Sequence, residues 1–221
     1  MGKEIYIYHH LGLGDHISCH GLVRHYCETY DKVFLFVKEH NYKNVTYMFQ
    51  DIKNINFLIG DDEFARNFIR SNQIKNVLLV GFTLNTHENF ELQFYKMANT
   101  PIEYKHEKFF IERDLYKEKQ LFEALELESG NYVFLHDGGF KIKNDLIDSK
   151  LKIVRPNTHG FFDWMYIIEN AKEIHAIDSS FICLIDCMKL NNKIKLYNHR
   201  YVRQYPEYIK LYTNKNWNFI Y

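Results

Sequence analysis

The sequence predicts an α/β protein of two Rossmann-like lobes whose parallel sheets face a cleft, with the second lobe truncated. Three observations lead there. Short, nearly uninterrupted apolar runs alternate with helix-length stretches, as expected of parallel strands covered on both faces by crossover helices. A strand running into a polar, glycine-containing turn appears at residues 4–15 and again at 132–139. The length, 221 residues, suits one large domain or two small ones at roughly 100–200 residues per domain.

In order along the chain, residues 4–8 (EIYIY) read as a strand that ends in His9-His10-Leu11-Gly12-Leu13-Gly14-Asp15-His16. Ile17, Leu22, Val23 and Tyr26 then recur at helical spacing. A strand at 33–37, a helix over 41–50 and a strand at 55–59 follow, and Asp61-Asp62 suit the start of the next helix because carboxylates favour its positive end. The strand 76–80 closes at Gly81. Residues 114–128 form a strongly helix-forming stretch ending at Ser129-Gly130, read as the connection between a lobe at 1–113 and a lobe at 129–221. Beyond it come a strand at 132–136, a strand at 152–154, a helix at 163–171 with Asp163 as N-cap, a strand at 174–177, a helix at 179–189 and a strand at 194–197. The tail, 200–221, is rich in Tyr and Asn and carries Trp217, so it is expected to pack back rather than stay solvated.

Composition excludes several classes. With 28 Lys plus Arg against 28 Asp plus Glu, there is neither a basic nucleic-acid arm nor an acidic tail. No apolar run reaches the roughly 18 residues of a membrane span, and nothing at the start reads as a secretory signal, so a cytoplasmic protein is expected. Cys19, Cys27, Cys183 and Cys187 lack CxxC spacing and read as buried thiols of a reducing compartment.

Three strand ends carry possible chemistry. Gly12 and Gly14 allow backbone to approach a ligand at the end of the first strand, with Asp15 beside them. His136-Asp137-Gly138-Gly139 ends the strand of the second lobe, with Lys141 and Lys143 within reach of an anion held there. Ile177-Asp178-Ser179-Ser180 sets an acid and two hydroxyls at a strand-to-helix junction that suits phosphate oxygens. A helix cap would account for any one of these. Three polar strand ends facing one cleft call for a ligand. Ile17 stands where a dinucleotide fingerprint needs its third glycine, which disfavours an NAD enzyme. His16, Cys19 and His20 could begin a metal site, but no further ligands follow from spacing, and no metal is expected.

In these residues the chain resembles the lipopolysaccharide heptosyltransferase-like glycosyltransferases of the GT-B fold. Gly12-Leu13-Gly14-Asp15 is similar to that family's GxxGD start, Leu135-His136-Asp137-Gly138-Gly139 to its strand ending HPG, and Ile177-Asp178-Ser179-Ser180 to its DSG or DTG before a helix. Order and lobe placement agree over about the whole chain. Two departures stand out: Asp137 replaces the proline, and Cys183 replaces a histidine three residues beyond the DSG. The second lobe is also about a strand and a helix short.

The resemblance implies transfer of a sugar from a nucleotide-sugar donor to a carbohydrate or glycan acceptor hydroxyl, inverting and without an obligatory metal or other cofactor. Asp15 falls on the family's general-base position. His136, Gly138, Gly139, Lys141, Asp178, Ser179 and Ser180 fall in its donor-phosphate region. The competing class is a non-catalytic nucleotide- or sugar-binding module of the same fold, which the short second lobe and Cys183 permit.

Overall fold

Strand β1 (Glu4–Tyr8) opens the first of two units and is followed by α1 (Leu13–Ser18), α2 (His20–Thr29), β2 (Lys32–Val37), α3 (Glu39–Met48), β3 (Ile55–Ile59), α4 (Asp62–Ser71), β4 (Val77–Leu79), α5 (Phe90–Met97) and α6 (Tyr104–Glu107). The second unit contains α7 (Leu115–Ala124), β5 (Tyr132–His136), β6 (Lys152–Val154), a 3-10 turn at Phe161–Trp164, α8 (Met165–Glu169), β7 (Glu173–Ile177), α9 (Ser180–Cys187), β8 (Lys195–His199) and β9 (Trp217–Ile220). This computed structural model describes residues 2–83, 88–140, 142, 146–199 and 212–220. The units are Met1–Glu112 with Glu207–Tyr212, and Arg113–Pro206 with Thr213–Tyr221. Among the described residues no helix is long and apolar enough to cross a membrane.

Both sheets are parallel throughout. The first has the order β3-β2-β1-β4, the second β6-β5-β7-β8-β9. The apolar runs in the sequence are explained by this arrangement. The consecutive residues Leu35, Phe36 and Val37 on β2, and Val133, Phe134 and Leu135 on β5, are buried, because crossover helices cover both faces. Each such side chain contributes roughly 1.5–3 kcal/mol of burial.

Several expected elements differ. The helix after the first turn is two helices, broken at Cys19, whose φ of -85° and ψ of 1° end α1 and begin α2. Asp163 is not an N-cap. The cap is Gly160, and Asp163 Oδ2 accepts the Gly160 N–H at 2.9 Å from within the 3-10 turn, so the α-helix begins only at Met165. The helix expected to connect the lobes is α7, and it packs inside the second unit. Its buried Glu118 accepts from Arg113 Nε at 2.9 Å and from the Tyr166 N–H at 2.9 Å. The tail supplies β9, which pairs with β8 from Leu196↔Trp217 to His199↔Ile220 and gives the second sheet its fifth strand. Trp217 Nε1 donates to the buried Asp186 at 3.0 Å.

A buried ion pair braces the first unit. Lys105 Nζ on α6 lies 2.6 Å from Glu91 Oε2 on α5, with 0% and 3% of the side chains exposed. Ser18 Oγ donates to Glu91 Oε1 at 2.6 Å, and the Tyr212 N–H donates to Oε2 at 2.8 Å. The Lys105 ammonium also donates to the Tyr212 carbonyl at 2.8 Å. Desolvation of two charges is thus answered by several hydrogen bonds as well as by their attraction.

Candidate functional site

In an open parallel sheet, ligands bind beyond the carboxyl ends of strands where the winding reverses. In the first sheet the reversal falls between β1 and β4, and in the second between β5 and β7. The sequence-predicted residues sit at these two places. Gly12, Gly14 and Asp15 follow β1, His136 ends β5, and Asp178, Ser179 and Ser180 follow β7.

At the first reversal, Gly12 is the N-cap of α1, and Gly14 and Asp15 lie in its first turn. Neither glycine is needed for a left-handed backbone; Gly12 has φ -73°. Gly12 instead makes room. A Cβ there would stand 2.5 Å from Asp15 Oδ2. The carboxylate folds back over the helix start and accepts the N–H groups of Gly12 and of Asp15 itself.

Burial pushes the Asp15 carboxyl up to about 7, against the two N–H bonds that favour its ionised form; Glu91 adds to the rise and Lys38 opposes it. The carboxyl is therefore not fully ionised at neutral pH. Desolvation leaves it half-titrated there, where a group both holds and releases protons well.

The neighbouring histidines do not form a metal centre. His16 lies edge-on to His9, ring centroids 4.4 Å apart. His20, beyond the break at Cys19, turns to the Met48 carbonyl at 3.2 Å and stacks on Phe49 at 4.7 Å. The i, i+4 spacing therefore does not place them on one helix face. Among the described residues no group of three His, Cys, Asp or Glu could hold a metal. Burial keeps all three rings neutral, His9 near 4, His20 near 3 and His16 well below the ordinary value. The four cysteines are free thiols, and burial lifts Cys27 to about 12.

At the second reversal, β5 delivers His136 into a tight turn in which the Phe140 N–H bonds to the Asp137 carbonyl at 2.9 Å. Gly138 and Gly139 have φ of +56° and +82°, a region that favours glycine. A Cβ at Gly138 would also meet Ile177 Cδ1 at 2.8 Å. Asp137 Oδ1 accepts the Gly139 N–H at 3.1 Å and Oδ2 the Nε–H of Arg155 at 3.2 Å. These bonds outweigh burial and hold its carboxyl below the ordinary range.

Ser179 is the N-cap residue of α9, yet its side chain makes no capping bond. Its Oγ lies 3.2 Å from His136 Nδ1, and the His136 ring packs on Phe181 with centroids 4.7 Å apart. Desolvation lowers the His136 pKa, with the Asp137 charge opposing. Asp178 accepts from Asn198 Nδ2 on β8 at 3.0 Å. Lys141 and Lys143 lie outside the described residues.

The structure brings His136, Ser179 and Arg155 to the carboxyl end of the second sheet, where β6, β5 and β7 are consecutive parallel neighbours. Arg155 was missed by sequence reasoning. Only its position just beyond β6, and so beside β5, marks it, and strand order cannot be read from sequence. Its Nε is oriented by Asp137, leaving its two terminal nitrogens free of described partners.

No protein-family model and no curated protein matches this sequence. Among solved structures the chain is similar to the crystal structure of the glycosyl transferase family 9 from Veillonella parvula DSM 2008, with TM-score 0.63 and 8% identity, over 98% of this chain and 87% of that one. The likeness is one of fold: two Rossmann-like units, each built on a parallel sheet, as in a GT-B-like fold.

Proposed function

We propose that this chain is a glycosyltransferase that moves a sugar from a nucleotide-sugar donor to a hydroxyl of a carbohydrate or glycan acceptor. The observation that carries the reading is the chemistry gathered at the β5–β7 reversal. An imidazole in contact with the Ser179 hydroxyl, a helix start without a side-chain cap and an oriented guanidinium lie there, and imidazole, helix-start amides and guanidinium are groups that hold diphosphate oxygens. The fold's likeness to a glycosyl transferase family 9 structure supports it.

In this reading Asp15 is the general base. The acceptor oxygen attacks the anomeric carbon, its proton passes to the Asp15 carboxylate, and the bond to the donor phosphate breaks with its electron pair leaving on the diphosphate. His136, Ser180, Arg155 and Lys141 stabilise the charge that develops on the leaving group, with Asp178 and the Gly138-Gly139 turn shaping the site. A single displacement inverts the anomeric centre. The cationic side chains take over the work a divalent ion would do, so no obligatory metal enters, and the chemistry suits the cytoplasm, where nucleotide sugars are made.

The donor test is a thermal-shift series. UDP, GDP or ADP is expected to raise the melting temperature more than the matching nucleoside, because the phosphates add charge-assisted hydrogen bonds. Arg155→Met, and separately Ser179→Ala with Ser180→Ala, should shrink that difference. Equal stabilisation by nucleoside and diphosphate would put the binding elsewhere. Once a substrate pair is found, turnover is expected to survive EDTA; loss to the chelator with rescue by one divalent metal would sink the proposed leaving-group chemistry.

A further inference from the structure

We propose that Ser179 is a positioning residue: its hydroxyl fixes the His136 ring as the Nε2–H tautomer, leaving that one ring proton for a phosphate oxygen of the donor. The proposal rests on the reading of the β5–β7 reversal as the diphosphate site. It starts from an unused cap. Serine at an N-cap ordinarily bonds a first-turn amide, a contact worth about 1 kcal/mol. Ser179 has the extended backbone of a cap, φ -162° and ψ 177°, but makes no such bond. Its oxygen is spent instead on a residue 43 positions away, His136 Nδ1, at 3.2 Å.

That contact determines where the ring proton sits. Burial keeps His136 neutral at pH 7, and a neutral imidazole carries one N–H, on the nitrogen opposite the one that accepts. The Ser179 hydroxyl has no other acceptor among the described residues, so donation to Nδ1 satisfies its proton, whereas an Nδ1–H ring would leave that proton without a partner among them. Asp137, the adjacent carboxylate, does not compete for the ring, because it is engaged by the Gly139 amide and Arg155. Phe181, packed 4.7 Å away, limits rotation of the ring. Among the described residues the ring's hydrogen bond is the one at Nδ1, and none is made at Nε2.

The test is ¹⁵N NMR of the imidazole nitrogens in the full-length protein, with His136 assigned by the loss of its signals in His136→Gln. The wild type and Ser179→Thr, which keeps the hydroxyl, are expected to carry the proton on Nε2. Ser179→Ala should move the tautomer balance toward Nδ1–H and weaken inorganic pyrophosphate binding by up to about tenfold. An Nδ1–H ring in the wild type overturns the proposal without any variant, and so does an unchanged tautomer in Ser179→Ala. If the tautomer behaves as expected but pyrophosphate leaves the His136 nitrogens unmoved, the diphosphate reading of the β5–β7 reversal fails instead.

Discussion

Asp15→Asn is expected to lower turnover by about 10²–10⁴, the usual cost of removing a general base, while the protein keeps its fold. The two roles open to Asp15 predict different outcomes. As a helix cap alone it would be worth roughly 1 kcal/mol, and its loss would register in melting temperature. As a base it would register in rate. Asparagine retains an oxygen that can accept the Gly12 N–H and fits the space that Gly12 leaves, but it cannot take a proton at neutral pH.

The pH dependence sharpens the test. Burial raises the Asp15 carboxyl to about 7, so between its unfolded value near 4 and about 7 the folded protein holds a proton that the unfolded chain has released. Stability from this group therefore falls as pH rises through that window. The Asn variant lacks this penalty and should melt no lower than the wild type at pH 8. In the wild type, kcat/KM should climb with pH to a plateau above about 7, and the limb should vanish in whatever activity the variant retains. Normal turnover by Asp15→Asn, or its unfolding, would leave Asp15 a structural residue and remove the centre of the proposed mechanism.

The largest expected loss of stability comes from Lys105→Met. Glu91 would remain buried, facing, among the described residues, the Ser18 hydroxyl and the Tyr212 amide. Stranding one charge of a buried pair costs about 3–5 kcal/mol, which for a chain of this size lowers the melting temperature by roughly 10 °C. Lys105→Met with Glu91→Leu removes both charges and should be less damaged than Lys105→Met alone, as a double-mutant cycle would show. A Lys105→Met protein melting within a degree of wild type would mean that the pair does not brace α5, α6 and Tyr212.

Part of this was legible in the sequence. A strand covered on both faces has no polar side, so EIYIY, VFLFV and YVFLH announce themselves as apolar runs, and β1, β2 and β5 lie where those runs are. The glycine turn after β5 was also legible, because left-handed backbone at Gly138 and Gly139 restricts the residue type. Helix starts were less so. Asp61 caps α4 with its side chain on the Phe64 amide at 2.8 Å, as its sequence suggested, yet Asp163 does not cap, because a 3-10 turn intervenes. The strand β9 was hidden, since Trp217-Asn218-Phe219-Ile220 is stabilised by its neighbour β8 rather than by its own pattern.

The sequence by itself determined the alternation of strands and helices, the two glycine-bearing strand ends and the candidacy of Asp15, His136 and Ser179, since each follows from local periodicity or backbone restriction. Only the tertiary structure decided which strand ends are neighbours. Strand order places Arg155 beside His136, turns Ser179 from a cap into a partner of an imidazole on another strand, and closes Lys105 onto Glu91. It also set the Asp15 carboxyl near 7, because desolvation depends on everything packed around a group and not on the residues next to it in the chain.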